Sequence, residues 1–105
     1  MREYQRKVAK HYAELRALGF LLRGTVNRRY TRCGTPGCGC QTNPSARHGP
    51  YYDWTRKVDG KTVTVRLTAG QAKVVREWIA RVRRFDRIAE EIQTVSAEAV
   101  QLVDE

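Results

Sequence analysis

Four residues with metal-binding side chains lie close together near the middle of the chain. They are Cys33, Cys38, Cys40 and His48, and their spacing is C-x4-C-x-C-x7-H. Three thiolates and one imidazole are a complete tetrahedral ligand set for structural zinc and leave no coordination position for a substrate. The spacing therefore predicts a structural zinc ion rather than a catalytic metal.

The segment that carries these ligands, residues 33–50, has no hydrophobic periodicity. It contains all three Cys, all three Pro and four of the eight Gly, and Arg47 is its only residue with a fixed charge. Burial of apolar side chains cannot offset the entropy lost when such a loop is ordered. We therefore expect zinc binding to be coupled to folding of the loop.

Other interpretations of the cysteines stay open. A Cys33–Cys38 disulfide would leave Cys40 free, an iron–sulfur cluster would usually take four Cys, and all three thiols can be plain reduced residues of a mobile loop. Clustered cysteines in a reducing compartment are more often metal ligands than disulfides, which favours zinc. His11, the other histidine, lies beside an apolar helical stripe and is interpreted as a surface or packing residue.

Charge is divided unevenly along the chain of 105 residues. The formal net charge is +9, and 15 of the 20 cations are Arg, the side chain suited to bidentate phosphate contacts. All 20 cations lie at or before Arg87 together with six acids, so residues 1–87 carry +14, whereas residues 88–105 carry −5. This separation favours a polyanionic partner for the basic part.

Arginines alternate with aromatic residues on both sides of the loop and recur along the predicted C-terminal helix. Such sets suit phosphate contacts combined with base stacking. The predicted nucleic-acid-binding residues are Arg23, Arg28, Arg29, Arg32, Arg47, Tyr51, Arg56, Lys57, Arg76, Arg83, Arg84 and Arg87. Tyr52 and Trp54 share a face with Val63, Val65 and Leu67 and are predicted to be core residues instead.

The sequence pattern predicts one α+β domain over residues 1–105, and its elements must position these residues. Residues 1–19 form an N-terminal helix with one apolar stripe, ended by Gly19. Residues 20–68 form a small three-stranded antiparallel sheet that carries the Cys/His zinc loop 33–50, with the first strand over residues 20–31.

The last two strands are predicted to form a hairpin. Asp59-Gly60 is a strong signal for a two-residue turn, and such a turn fixes which residues face each other. The expected pairs are Tyr52 with Leu67, Asp53 with Arg66, Trp54 with Val65, Thr55 with Thr64 and Arg56 with Val63.

Residues 69–103 are predicted to form one long helix, begun by a capping box of Thr68 and Gln71. Its length would be roughly 50 Å, about twice the diameter of a compact domain of this size. The rest of the chain cannot cover its apolar stripe, so we expect a homodimer formed through this helix. The alternative is a helix that frays or bends after about residue 95.

The motif residues resemble a family. The segments Cys33-Gly34-x-Pro36-x-Cys38-x-Cys40, His48-Gly49-Pro50-Tyr51-Tyr52 and Gly60-Lys61-Thr62 are similar to those of a small prokaryotic domain of unknown function, found in bacteria, archaea and phages. The resemblance extends from roughly Arg23 to Glu91, and Asp53-Trp54 departs from its pattern. It implies that the three cysteines and His48 belong to one motif, and that the protein is associated with mobile elements or phages. It implies no reaction.

These observations predict a small, basic, zinc-stabilised protein that binds DNA or RNA and is linked to a mobile element or phage. The alternative is a protein-interaction module, an adaptor or inhibitor that acts through the long helix on a protein partner. The sequence has no paired carboxylates, Ser/His/Asp set or phosphate-binding loop, and crowded thiols disfavour a Cys40–His48 nucleophile, so no enzymatic activity is expected. The longest apolar run, Ala17 to Leu22, is too short for a membrane span or a secretory signal, so we expect a cytoplasmic protein without a membrane partner.

Overall fold

The structure, a computed structural model, describes residues 1–32, 34–43 and 46–104, and of Cys40 the backbone alone. In chain order the elements are helix α1 (Arg2–Arg16), strand β1 (Thr25–Thr31), a 3-10 turn (Gly39–Gln41), strand β2 (His48–Val58), strand β3 (Lys61–Leu67), helix α2 (Ala69–Ala99) and a final 3-10 turn (Val100–Leu102). The three strands form one antiparallel sheet. The predicted α+β fold, with a helix at each end of the chain and a three-stranded sheet between them, is therefore confirmed.

The chain is organised in two compact units. The helical unit contains residues 1–22 and the chain from Trp78 onward, and the sheet unit contains residues 23–77. Helix α2 contributes to both units, with the division between Glu77 and Trp78. The organisation of residues 1–105 as a single domain stays a prediction.

In the helical unit, α1 and the later part of α2 run antiparallel. The direction follows from two contacts, because His11 lies beside Glu91 whereas Phe20, further along the chain, stacks on Trp78 with 4.7 Å between ring centroids. The buried side chains of this unit, among the residues described, are Leu18, Val82 and Ile88. These apolar side chains are the core that holds the two helices together.

The first strand begins at Thr25, not at residue 20 as predicted. Phe20 stacks on Trp78, and the backbone N–H of Leu22 donates to the Trp78 carbonyl, so this segment belongs to the helical unit. Gly24 then interrupts the extended run with a φ of +126°. A Cβ at Gly24 would lie 2.5 Å from the backbone oxygen of Thr55, so the chain needs a glycine there to approach β2.

Strand β2 is the central strand, flanked by β1 and β3. The predicted hairpin register is confirmed, with Trp54 opposite Val65 and Asp53 opposite Arg66. The turn residues Asp59 and Gly60 have φ values of 51° and 79°, as a tight two-residue turn requires. On its other side β2 pairs antiparallel with β1 through Val26↔Trp54, Arg28↔Tyr52 and Arg29↔Tyr51, with an irregularity between Arg29 and Thr31.

The predicted core face of the sheet is only partly buried. Tyr52 and Trp54 are half-buried, and Val65 exposes 37% of its surface. Guanidinium groups lie over both rings: that of Arg56 is 3.9 Å from the Trp54 centroid and that of Arg76 is 5.7 Å from the Tyr52 centroid. These cation–π contacts cover the aromatic rings where the prediction had expected apolar neighbours.

Helix α2 begins at the predicted capping box. The backbone N–H of Thr68 donates to Oε1 of Gln71 at 2.9 Å, and the N–H of Gln71 donates to Oγ1 of Thr68 at 3.1 Å. The helix runs to Ala99, beyond the fraying point near residue 95 but short of the predicted end at residue 103, which lies past the final 3-10 turn. Within the described part of the chain, neither helix combines the length and the apolar character needed to cross a membrane.

Candidate metal and nucleic-acid sites

Two of the four predicted zinc ligands lie next to each other. Sγ of Cys38 is 3.5 Å from Nε2 of His48. Cys38 immediately precedes the 3-10 turn, and its backbone N–H donates to the carbonyl of Thr35. His48 is the first residue of β2, so the start of the central strand meets the cysteine loop at this point.

The separation of these two atoms has the size that a shared zinc ion would require. With a Zn–S bond of about 2.3 Å and a Zn–N bond of about 2.05 Å, two ligands at a tetrahedral angle are about 3.6 Å apart. Cys38 is a half-buried free thiol. Cys33 and the side chain of Cys40 lie outside the described residues, so the other half of the ligand set stays a prediction.

His48, rather than His11, is the imidazole beside a described cysteine. Nδ1 of His11 lies 3.3 Å from Oε2 of Glu91 and 3.5 Å from Oε1 of Glu14, both within the helical unit. That nitrogen is buried and makes no hydrogen bond of good geometry, so its attraction to the two carboxylates is electrostatic when the ring is protonated. His11 is therefore a packing residue between α1 and α2, as interpreted from the sequence.

The nucleic-acid candidate with the most cationic surroundings is Tyr51 on β2. Its ring centroid lies 5.5 Å from the Arg29 guanidinium and 4.5 Å from the Arg66 guanidinium. Because β2 is the central strand, one arginine comes from β1 and the other from β3. We refer to Tyr51, Arg29, Arg66 and Asp53, which share this side of the sheet, as the Tyr51 cluster.

Asp53 orients one of the two arginines. Nε of Arg29 donates to Oδ2 of Asp53, whose side chain is only 15% exposed, whereas that of Arg29 is 40% exposed. The charge-assisted hydrogen bond restrains the guanidinium at Nε and leaves its terminal amino groups for other acceptors. Arg66 is exposed and, within the chain as described, forms no ion pair. The cluster therefore carries one net positive charge, with two guanidinium groups close to one ring.

The remaining predicted nucleic-acid-binding residues are distributed over other surfaces. Lys57 lies on the same side of the sheet as Tyr51, and Arg28 lies on the opposite side, across from Tyr52. Arg56, which is half-buried, lies over the Trp54 ring, and Arg76, which is exposed, lies over the Tyr52 ring. Arg23, Arg32 and Arg47 are exposed outside the strands, and Arg83, Arg84 and Arg87 are exposed on α2 in the helical unit.

Arg66 was absent from the residues predicted from the sequence. The signal that identifies it was available in the hairpin register, which pairs Arg66 with Asp53. Side chains alternate between the two faces of a strand, so Tyr51 and Asp53 share a face and Arg66 is diagonal to Tyr51. Apart from those on α2, the predicted binding residues lie near the cysteine loop in sequence. Arg66 was not among them because β3 is farther from the loop.

The fold and these sites define a small basic α+β protein with a cysteine- and histidine-containing loop inserted before the central strand of its sheet. A family model described as a domain of unknown function, DUF6788, matches residues 1–77, and the chain belongs to this family. No curated protein and no solved structure gives a match to the chain. The matched range contains α1, the loop, all three strands and the start of α2, whereas the sequence resemblance had extended from Arg23 to Glu91.

Proposed function

We propose that the protein is a small, non-enzymatic nucleic-acid-binding protein whose loop 33–50 is organised by structural zinc. The observation that carries this proposal is the Tyr51 ring between the guanidinium groups of Arg29 and Arg66. Each guanidinium offers a bidentate contact to phosphate, and movement of a guanidinium off the ring would open that face to a base.

The charge of the chain also favours a nucleic-acid partner. Residues 1–87 carry +14, so a polyanion is attracted to this part from a distance and the association rate rises at low salt. Asp53 supplies one local negative charge, but it is engaged with Arg29, so Arg66 is the cation of the Tyr51 cluster that no described carboxylate holds.

Zinc would also stabilise β2, the strand that carries Tyr51. Cys38 and His48 would supply one sulfur and one nitrogen ligand, with Cys33 and Cys40 completing the set. Zinc would supply the energy that fixes the loop, since the loop has no apolar core. His48 begins β2 and Tyr51 follows three residues later, so a zinc ion bound at His48 would also fix the start of the strand that presents the ring.

Binding is tested by fluorescence anisotropy with labelled single-stranded and duplex oligonucleotides over a series of salt concentrations. We expect affinity to fall steeply with salt, and Arg66→Gln to weaken binding by about tenfold and to reduce the salt slope by about one. Arg16→Gln is the matched control, because it removes the same charge from an exposed position of α1 outside the predicted set. Absence of binding at low salt, or equal effects of the two substitutions, would contradict the proposal.

Metal binding is tested separately by measuring the zinc content of protein purified without added metal. We expect about one equivalent in the unmodified chain and its loss in Cys38→Ser and in His48→Gln, because either change removes a ligand. His11→Gln should retain zinc, since His11 faces Glu14 and Glu91. Less than about half an equivalent of zinc, together with unchanged folding of Cys38→Ser, would exclude a structural role for the metal.

A further inference from the structure

An apolar groove of about 420 Å³ lies between α1 and the C-terminal end of α2, within the helical unit. It is lined by Tyr4, Val8 and Tyr12 from α1 and by Val95 and Ala99 from α2. Tyr12 exposes 54% of its surface although it borders this apolar groove.

More apolar surface is exposed at the same end of the unit. The final 3-10 turn directly follows Ala99, and its side chains and their neighbour are largely in solvent: Val100 is 66% exposed, Leu102 50% and Val103 65%. Met1, which also lines the groove, is 49% exposed. Contiguous exposure of apolar side chains beside a groove is typical of an interaction site.

The two segments that border this groove carry net charges of opposite sign. Helix α1 carries five cations and two acids, whereas residues 88–105 carry five acids and no cation. Within the described chain no ion pair joins α1 cations such as Arg2 and Arg6 to Asp104, which follows α2. The cationic helix of one copy is therefore complementary in charge to the acidic segment of another.

We propose that this groove is a self-association surface, and that its occupant is the same surface of a second copy of the chain. A two-fold contact brings identical patches together, so the α1 edge of one copy meets the α2 edge of the other twice. The cationic α1 of each copy then lies beside the acidic segment 88–105 of the other, and Tyr12 and the side chains of residues 100–103 are removed from water. The resulting interface has two helices from each copy, in the manner of a four-helix bundle.

This proposal does not depend on the nucleic-acid proposal. The groove lies in the helical unit and the Tyr51 cluster in the sheet unit. Its α2 edge, Val95 to Ala99, also lies beyond residue 77, where the family match ends. Self-association is therefore inferred for this chain from its own residues.

Sedimentation equilibrium over protein concentrations from about 1 µM to about 1 mM tests the proposal in a range where weak dimers are detected. We expect the mass to rise from 12.1 kDa towards twice that value and to stop there, because a two-fold contact is closed. A mass of 12.1 kDa throughout would overturn the proposal. A mass that continues to rise beyond two copies would overturn it as well.

The location of the contact is tested with matched substitutions. Tyr12→Glu should weaken association by at least about tenfold, since it places a carboxylate in the apolar groove. Tyr30→Glu is the control, because Tyr30 is an equally exposed tyrosine, at 51%, on the sheet rather than in the groove. Val103→Asp, at a 65% exposed position in the C-terminal segment that the proposed contact buries, should weaken association as well. Dimerisation that Tyr30→Glu disrupts as strongly as Tyr12→Glu would place the contact elsewhere.

Discussion

At the scale of single residues, the Tyr51 cluster contains one arginine that a carboxylate holds and one that none of the described carboxylates holds. Both Arg29 and Arg66 lie over the same ring, yet only Arg29 is held by Asp53, whose carboxylate is 15% exposed. A largely buried carboxylate is costly to leave without a partner, so Arg29 has a role in the folded state that Arg66 lacks. The two positions therefore offer a comparison within one cluster.

Arg29→Gln and Arg66→Gln should differ in stability although each removes one guanidinium from Tyr51. We expect Arg29→Gln to lower the free energy of unfolding by about 1 kcal/mol, because Asp53 loses its charge-assisted hydrogen bond. Arg66→Gln should change it by less than about 0.5 kcal/mol, as for other exposed substitutions. Urea unfolding monitored by circular dichroism measures both. Equal losses would show that Asp53 does not depend on Arg29.

Gly24 is a residue whose role follows from both its backbone angle and its surroundings. Gly24 has a φ of +126°, and a Cβ there would lie 2.5 Å from Thr55 O and 2.6 Å from Trp54 Nε1. Alanine at this position would therefore be strained and would overlap the neighbouring strand. We expect Gly24→Ala to lower the free energy of unfolding by about 2–3 kcal/mol. Gly70→Ala is the control, since a Cβ there meets only Thr68 Oγ1 at 4.0 Å in the first turn of α2. It should leave stability unchanged or raise it by up to about 1 kcal/mol.

At the scale of elements, the features that depend on residues close in sequence were predicted correctly. The Asp59-Gly60 turn determined the hairpin register, and Thr68 with Gln71 determined the start of α2. Both depend on residues only a few positions apart, so the sequence contains all the information that they require.

Contacts between distant residues account for what the sequence did not predict. The late start of β1 results in part from Phe20 packing on Trp78, far along the chain. The half-buried state of Trp54 has a local cause instead, because Arg56, two residues further along β2, lies over its ring, and an alternating pattern of apolar side chains carries no information on that contact. Cys38 and His48 lie close together within one loop, only ten residues apart in sequence, whereas their binding of zinc stays a prediction.

The arginines of α2 can be tested as an element. Arg83 and Arg87 are exposed and four residues apart, so they lie on neighbouring turns of one helix face. We expect the double substitution to Glu to weaken duplex binding and to reduce the salt slope by about two if each arginine contacts one phosphate. The protein should remain folded, since neither side chain is buried.

The matched control is a second double substitution, in which Arg16 and Lys73 are replaced by Glu. Both are exposed, and neither belongs to the predicted set of binding residues. The net charge of the two double variants is identical, so general electrostatic attraction is weakened equally in both. Equal affinities would show that Arg83 and Arg87 contribute only their charge and make no local phosphate contact.

At the scale of the whole molecule, the two proposals place binding and self-association in different units. The Tyr51 cluster belongs to residues 23–77, and the groove belongs to the helical unit. The uneven charge of the chain is consistent with this division. The basic part suits a polyanion, whereas the acidic segment 88–105 suits α1 of a second copy, which carries an excess of cations.

A dimer would present two nucleic-acid-binding surfaces at once, and this gives a prediction that links the two proposals. A strand long enough to reach both copies gains from effective concentration, whereas a strand that occupies one copy gains nothing. We expect Tyr12→Glu to weaken binding to an oligonucleotide of about 40 nucleotides by at least about tenfold, and to leave binding to one of about 8 nucleotides unchanged. Anisotropy titrations of the same protein with both lengths provide their own control, because any damage to the Tyr51 cluster would weaken binding to the short strand as well. Equal weakening at both lengths would mean that Tyr12 affects the binding surface itself, whereas no weakening at either length would mean that the two copies do not bind one strand together.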